Sequence, residues 1–428
     1  MAKPLVLVLA DAAAEAVVAA AGFAVAGGGE PLGGPSAGVL IDVRGAAGLV
    51  AGQRARALKA ALGPRAGVFF AWADDDSDYD ADAFDGALPS DATPALVQAR
   101  LGFALRVAVM AEEAEARFAS LAKFGGAASP PSLQREQTPR VLLYGDPGPA
   151  AIAFTAALET LGARVVGCFS SFTAFDYLHA GGFDAVAVLA GWDRGAALSF
   201  CAALRRNARL FHLPCLILAD AAFPSPEDVL RRGASDLAVT GVDDAAAALR
   251  LLGRVDEARR REALALAFAA ARAPAAMDVA TGLYGEAFFV AHLDALILRA
   301  AATERPLSIC VARIAPSAHL EHVRAGQGLE RVVGQVGAML GRLVRTEDVA
   351  ACVGPTTFAV AFPASDLEAA TIAAERIVAV LECGAFDAGE TQQAVSFKMD
   401  AVGRRHAPGD TARGLLDAAL AALPNPWT

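Results

Sequence analysis

Apolar positions in the first half of the chain come in short unbroken runs, with alanine-rich, helix-periodic stretches between them. The first set is PLVLVLAD (4–11), AGVLIDV (37–43) and AGVFFAWA (66–73). The second is RVLLYGD (140–146), ARVVGCF (163–169), FDAVAVLA (183–190), LPCLILAD (213–220) and GASDLAV (233–239). Continuous runs of this length mark strands buried on both faces, the pattern of a parallel sheet with helices on either side. Two doubly wound α/β units are predicted, 1–124 and 140–255, separated by a Gly-, Ser- and Pro-rich linker over 125–139.

The grammar then changes. A long helical run leads out of the second unit until Pro274 ends it, giving a helical linker over 256–277. From 278 to 428 the pattern predicts a loop, DVATGLYGEAFF, that opens onto an amphipathic helix. A strand (LSICVARI), a helix (329–345), a hairpin, a helix (366–382), a strand (393–403) and a last helix (409–423) follow. That order predicts an α+β domain built around an antiparallel hairpin. The hairpin lies in RTEDVAACVGPTTF (345–358): Val349, Ala351 and Val353 alternate, Gly354-Pro355 turns the chain, and Phe358 resumes the alternation. A charged pair, Arg345 and Asp348, stands immediately before it.

At 428 residues the chain has room for several cores. Its net charge of −10, with no compensating Lys/Arg block, argues against nucleic-acid binding, where phosphate neutralisation supplies most of the affinity. The apolar N-terminal stretch is broken by Asp11 and Glu15 and has no basic leader, so neither a signal peptide nor a membrane span is expected and the chain reads as cytoplasmic. Six cysteines are scattered without a Cys-x-x-Cys pair, as buried thiols of a reducing compartment would be. The run DDDSDYDAD (74–82) has Tyr79 where a calcium loop needs glycine, and reads as a solvated acidic loop. His319 and His322 have helix-borne ligand spacing but no third ligand, and read as surface histidines.

The segment 278–428 resembles the GGDEF domains of diguanylate cyclases, with DVATGLYGEAFF in place of the family's opening loop. The two α/β units resemble response-regulator receiver domains, so the resemblance covers essentially the whole chain as receiver–receiver–GGDEF. In that family two carboxylates hold divalent metal on the GTP phosphates, one at the end of the strand after the first helix and one in the signature loop. Here the strand position is Arg313 and the signature reads Gly354-Pro355-Thr356-Thr357-Phe358, with Thr356 in the ligand slot. The family's basic and guanine-reading positions fall on Ala318, Glu321 and Glu330. A degenerate active site at Arg313, Gly354, Pro355, Thr356 and Thr357 is therefore expected, with no metal, no catalytic residue and no required cofactor.

The family also carries an Arg-x-x-Asp motif five residues ahead of the signature, which binds the product, cyclic di-GMP. Arg345-Thr346-Glu347-Asp348 has that spacing, and the family's second arginine falls on Arg376. The chemistry suits the ligand: an arginine fork donates to guanine O6 and N7 or to phosphate, and a carboxylate accepts from guanine N1–H and N2–H. The plainer alternative is a surface ion pair. In the first receiver-like unit Asp42 is the candidate phosphoacceptor, with Asp11 as its acidic partner and Ala73 at the hydroxyl position. In the second, Leu189, Ala219 and Thr240 replace the phosphoacceptor, hydroxyl and lysine, although Asp146 remains. Within the family the combination is similar to PopA-like cyclic di-GMP effectors. That implies a homodimeric adaptor at the cell pole that works with RcdA to deliver CtrA to the ClpXP protease. A nucleotide-independent polar scaffold and an active cyclase are the alternatives.

Overall fold

The computed structural model describes residues 5–27, 38–44, 48–74, 80, 83–130, 138–191, 193–220, 226–242, 244–389 and 394–424. By internal contacts the chain divides into two units, one of Pro4–Val107 and Leu133–Ala263, the other of Met1–Lys3, Ala108–Ser132 and Leu264–Thr428.

The first of these holds two mixed α/β layers, each with a parallel sheet, and the last helix of each layer continues past it, from Ala108 and from Leu264, into the residues of the other unit. The first layer runs β1 (Leu5–Leu9), α1 (Ala12–Ala20), β2 (Ala24–Gly27), β3 (Gly38–Asp42), α2 (Gly48–Leu62), β4 (Val68–Ala73), β5 (Gly86–Pro89) and α3 (Pro94–Ala122), with strand order β2-β1-β3-β4-β5. The second runs β6 (Arg140–Tyr144), α4 (Pro149–Thr160), β7 (Arg164–Cys168), α5 (Ser171–Ala180), β8 (Ala185–Ala190), α6 (Arg194–Arg206), β9 (Cys215–Ala219), α7 (Pro226–Arg231), β10 (Asp236–Val239) and α8 (Asp244–Ala270). Its order, β10-β9-β8-β6-β7, is the same path read from the other edge. Both follow the 2-1-3-4-5 order of flavodoxin-like folds, in which a site forms at the carboxyl ends of the central strands. The central strands β3, β4, β8 and β9 are the unbroken apolar runs and are buried along nearly their whole length. The four-residue strands β2 and β5 lie at the edges of their sheet, too short to stand out as apolar runs.

In the other unit, β11 (Tyr284–Gly285), α9 (Glu286–Thr303), β12 (Leu307–Ile314), α10 (Ala318–Ala325), α11 (Leu329–Leu343), β13 (Val349–Gly354), β14 (Thr357–Pro363), α12 (Leu367–Glu382), β15 (Met399–Arg405) and α13 (Ala412–Ala421) build a sheet of order β11-β13-β14-β12-β15. One core joins α9 and α13 to the sheet through Phe288, Leu293 and Leu416; the other joins α11 and α12 through Val336, Leu340 and Ile377. The expected strand 393–403 forms only from Met399, because Val395 makes an isolated bridge with Phe386 instead. On α11, Gly334 and Gly337 lie against the loop 278–283: a Cβ would fall 2.7 Å from the Ala280 carbonyl oxygen at the first and 2.5 Å from Thr281 Cβ at the second. Glycine lets the helix and loop backbones approach this closely.

Residues 108–130 depart from expectation. The spacing put them in the first α/β domain and its linker, yet Phe118 and Leu121 of α3 sit in the same core as Phe288 and Leu293. The chain 264–277 joins them there through Ala267, Ala271 and Ala273. Among the described helices α3 alone has the length and hydropathy to cross a membrane, a test that a buried core helix also passes. Four cysteines are buried, Cys352 is partly exposed and Cys383 is exposed, so the expectation of burial fails at the last.

Candidate ligand site

The Arg345–Asp348 motif forms a closed turn between α11 and β13. Asp348 Oδ2 accepts from the Arg345 amide at 3.0 Å, and the Asp348 amide donates back to the Arg345 carbonyl at 3.1 Å. The two ends of the motif behave differently. Arg345 is exposed, and among the described residues its guanidinium has no hydrogen-bond or ion-pair partner. Asp348 is 7% exposed, and burial pushes its carboxyl up to about 7, against the pull of the Arg345 amide. A carboxyl buried in this way is a structural member of the turn before it is a ligand contact. Arg376, on α12, is exposed, and no described contact joins it to the turn.

Beneath the turn lies a polar network that sequence reading missed. Arg117 of α3 donates to three successive carbonyls, those of Thr346 (3.4 Å), Glu347 (3.2 Å) and Asp348 (3.1 Å). Its Nε donates to Glu113 Oε1 at 3.0 Å, and its guanidinium lies 4.5 Å from the centre of the Phe268 ring. Glu113, 1% exposed, also contacts His292 Nε2 at 2.8 Å, and His292 Nδ1 meets Ser120 Oγ at 3.0 Å. Burial alone would raise the Glu113 carboxyl, but His292 and Arg117 together hold it below the ordinary range. The signal was present: Glu113 and Arg117 are an i, i+4 pair on a face otherwise made of Met110, Ala114, Phe118 and Leu121.

The turn of the hairpin carries no carboxylate, and its surroundings are already neutralised. Gly354 pairs with Thr357 across the two-residue turn Pro355-Thr356, and the Thr356 carbonyl accepts from the Ile314 amide at 3.0 Å. Arg313 stands opposite Thr357 on one side and Asp400 on the other, and its Nη2 meets Asp400 Oδ2 at 3.0 Å. The same nitrogen donates to the Pro424 carbonyl at 2.6 Å. Where the resemblance implies a divalent metal, the residues present are an arginine committed to a cross-strand aspartate, a proline and two hydroxyls. That donor set does not fit magnesium, which wants carboxylate oxygens. Among the described residues no group of three or more His, Cys, Asp or Glu is placed to hold a metal ion. His319 and His322 are both exposed on α10.

In the first parallel sheet, too, an arginine occupies the carboxylates at the strand ends. Asp42, at the end of β3, has both carboxylate oxygens engaged by Arg44, at 2.9 and 2.7 Å, and the same guanidinium reaches Asp11 Oδ2 at 2.6 Å. The Arg44 hydrogen bonds hold the Asp42 carboxyl below its ordinary value; Asp11 is held down by the Ala14 amide and then by Arg44. Asp42 is thus an ion-paired carboxylate, and its partner Arg44, only two residues away in the sequence, did not enter the reading of Asp42 as a candidate phosphoacceptor. In the second sheet, Leu189 packs so closely that a Cβ on Gly145 would fall 2.6 Å from its own Cβ. Apart from Asp74 and Asp80, the acidic run 74–82 lies outside the described residues.

No family model and no curated protein matches the chain. Among solved structures, it is similar to the GGDEF domain of FimX from Pseudomonas aeruginosa, at 19% identity over 34% of this chain and 90% of that one, with a TM-score of 0.32. The GGDEF domain of DgcB from Caulobacter crescentus, in complex with c-di-GMP, is similar at 21% identity over 35% of this chain and 86% of that one, with a TM-score of 0.32. A protein described as a putative response regulator, from Chloroflexus aurantiacus J-10-fl, is similar at 17% identity over 28% of this chain and 99% of that one, with a TM-score of 0.27.

Proposed function

We propose that the chain is a non-catalytic cyclic di-GMP effector: two receiver-like domains and a degenerate GGDEF domain that binds the dinucleotide at Arg345, Asp348 and Arg376. One observation carries the reading. Arg345 projects from a closed turn a guanidinium with no hydrogen-bond or ion-pair partner among the described residues, immediately ahead of a hairpin with Thr356 in its metal-ligand slot, while the Arg313–Asp400 ion pair occupies the strand position. Arg345 would donate in a fork to guanine or to phosphate, and Arg376 would supply a second positive contact. Asp348 contributes once its carboxylate turns from the Arg345 amide toward guanine N1–H.

On this reading the ligand changes how the domains present themselves to protein partners, and the adaptor acts in the cytoplasm at the cell pole, as a homodimer, in RcdA- and ClpXP-dependent removal of CtrA. Isothermal calorimetry on the full chain tests the core of it. Wild type binds cyclic di-GMP, and Arg345→Ala loses about tenfold or more, the cost of one bidentate arginine contact. Equal affinity in the two proteins overturns the assignment.

The burial of Asp348 favours a second reading, in which the charged pair only closes the turn and the chain is a nucleotide-independent scaffold. A folded wild type with no affinity for cyclic di-GMP selects that reading.

A further inference from the structure

We infer that Arg117 is a positioning residue for the dinucleotide site, setting the backbone of the turn that presents Arg345 and Asp348. The inference deepens the proposed function and rests on it. Three observations converge. The Arg117 guanidinium spans the carbonyls of Thr346, Glu347 and Asp348, so the whole inner edge of the turn faces one planar donor set. Its remaining edge is fixed by Glu113, itself fixed by His292 and Ser120, and its face lies over Phe268. The outer edge of the turn closes on itself through Asp348 and the Arg345 amide.

The geometry requires an arginine. A guanidinium presents five donors in one plane and stacks on a ring; an ammonium offers a point charge that cannot serve three carbonyls and Glu113 together. Buried carbonyls without donors are costly, so losing the fork leaves the turn to seek water and to change its φ/ψ angles. Arg345 and Asp348 would then no longer be held at the spacing a guanine edge demands. Arg117 touches no ligand on this account; it acts through the main chain of residues that do.

The site is thereby tied to α3. Asp348 can turn toward a guanine only by giving up its bond to the Arg345 amide, and that movement shifts the carbonyls that Arg117 holds. Ligand binding is expected to be felt along the segment of α3 that carries Glu113, Arg117 and Ser120.

The test uses the full chain in three forms: wild type, Arg117→Lys and Glu113→Gln. Hydrogen exchange at the Arg345 and Asp348 amides, measured without ligand, reports the turn directly. Calorimetry with cyclic di-GMP reports the site, and thermal unfolding reports the fold. Both variants are expected to stay folded and to exchange about tenfold faster at those two amides, while Arg117→Lys loses about tenfold in affinity, the effect of one or two charge-assisted hydrogen bonds. Wild-type exchange rates in Arg117→Lys overturn the inference whether or not ligand binds. Faster exchange with unchanged affinity overturns the link to the ligand. A wild type that does not bind overturns the proposed function, and the exchange arm still decides whether Arg117 holds the turn.

Discussion

At the scale of single residues, two of the sites that would carry charge chemistry are filled from within by an arginine. Arg44 bridges Asp11 and Asp42, and Arg313 answers Asp400. These pairs are partly exposed, so each contributes about 1 kcal/mol or less after solvent screening. Asp348 is the reverse case, a carboxyl buried beside another buried acid, Glu347. Burial raises it to about 7 from an ordinary 3.8, so the folded protein holds that proton more tightly than the unfolded chain does. Its contribution to stability is full below about pH 4, falls as pH rises through about 7, and is flat above. Asn at 348 can still accept from the Arg345 amide and does not titrate. The loss of unfolding free energy between about pH 5 and about pH 8, measured by urea denaturation, is expected to shrink in Asp348→Asn by on the order of 2 kcal/mol. An unchanged pH dependence would mean that the carboxyl is not buried as described.

Among the elements, those with one clear period were legible and those that depend on distant partners were not. The pattern placed β12 at its observed limits and α11 within two residues, because an unbroken apolar run and a helical stripe each carry their own signature. The hairpin was legible for the same reason, and so was the spacing of Arg345 and Asp348 to it. Legible only in part was β15, expected over 393–403 and formed over 399–405, whose residues are half exposed and pair only with β12; illegible was the use of Asp400, which gains meaning only opposite Arg313. The contact of Arg44 with Asp11 and that of Arg117 with the Thr346–Asp348 carbonyls were illegible because folding sets them, although the i, i+4 pairing of Arg117 with Glu113 is plain in the sequence. At this scale the Arg313–Asp400 pair predicts its own test. Arg313→Ala leaves Asp400, on the edge strand β15, without its partner and should cost about 1 kcal/mol or less. Neither that variant nor wild type should make cyclic di-GMP from GTP and magnesium, since removing the arginine supplies no carboxylate. Detectable product from wild type would refute the degenerate-site reading.

For the whole molecule, the informative departure is the placement of residues 108–132 with 264–428. The sequence pattern closes a domain where its helix ends, but α3 carries a second apolar face, of Met110, Ala114, Phe118 and Leu121, for which the first sheet is not the partner. Full burial of a large apolar side chain stabilises by about 1.5–3 kcal/mol, so Met110, Phe118 and Leu121 together contribute about 5–9 kcal/mol. A whole domain is stable by only about 5–15 kcal/mol, so residues 264–428 without this helix are close to the threshold of folding. Removal of Glu113 and Ser120 also leaves His292 buried without either neighbour on α3, and removal of Arg117 leaves the Thr346–Asp348 carbonyls without their donor. A fragment of 264–428 is therefore expected to unfold at low temperature or without cooperativity. Adding a synthetic peptide of 108–132 in trans should restore a cooperative transition, with a midpoint that rises with peptide concentration as mass action requires. The peptide carrying Arg117→Met should restore less. A fragment 264–428 that melts cooperatively, at a midpoint indifferent to the peptide, would show that α3 is an accessory to this unit and not part of its core.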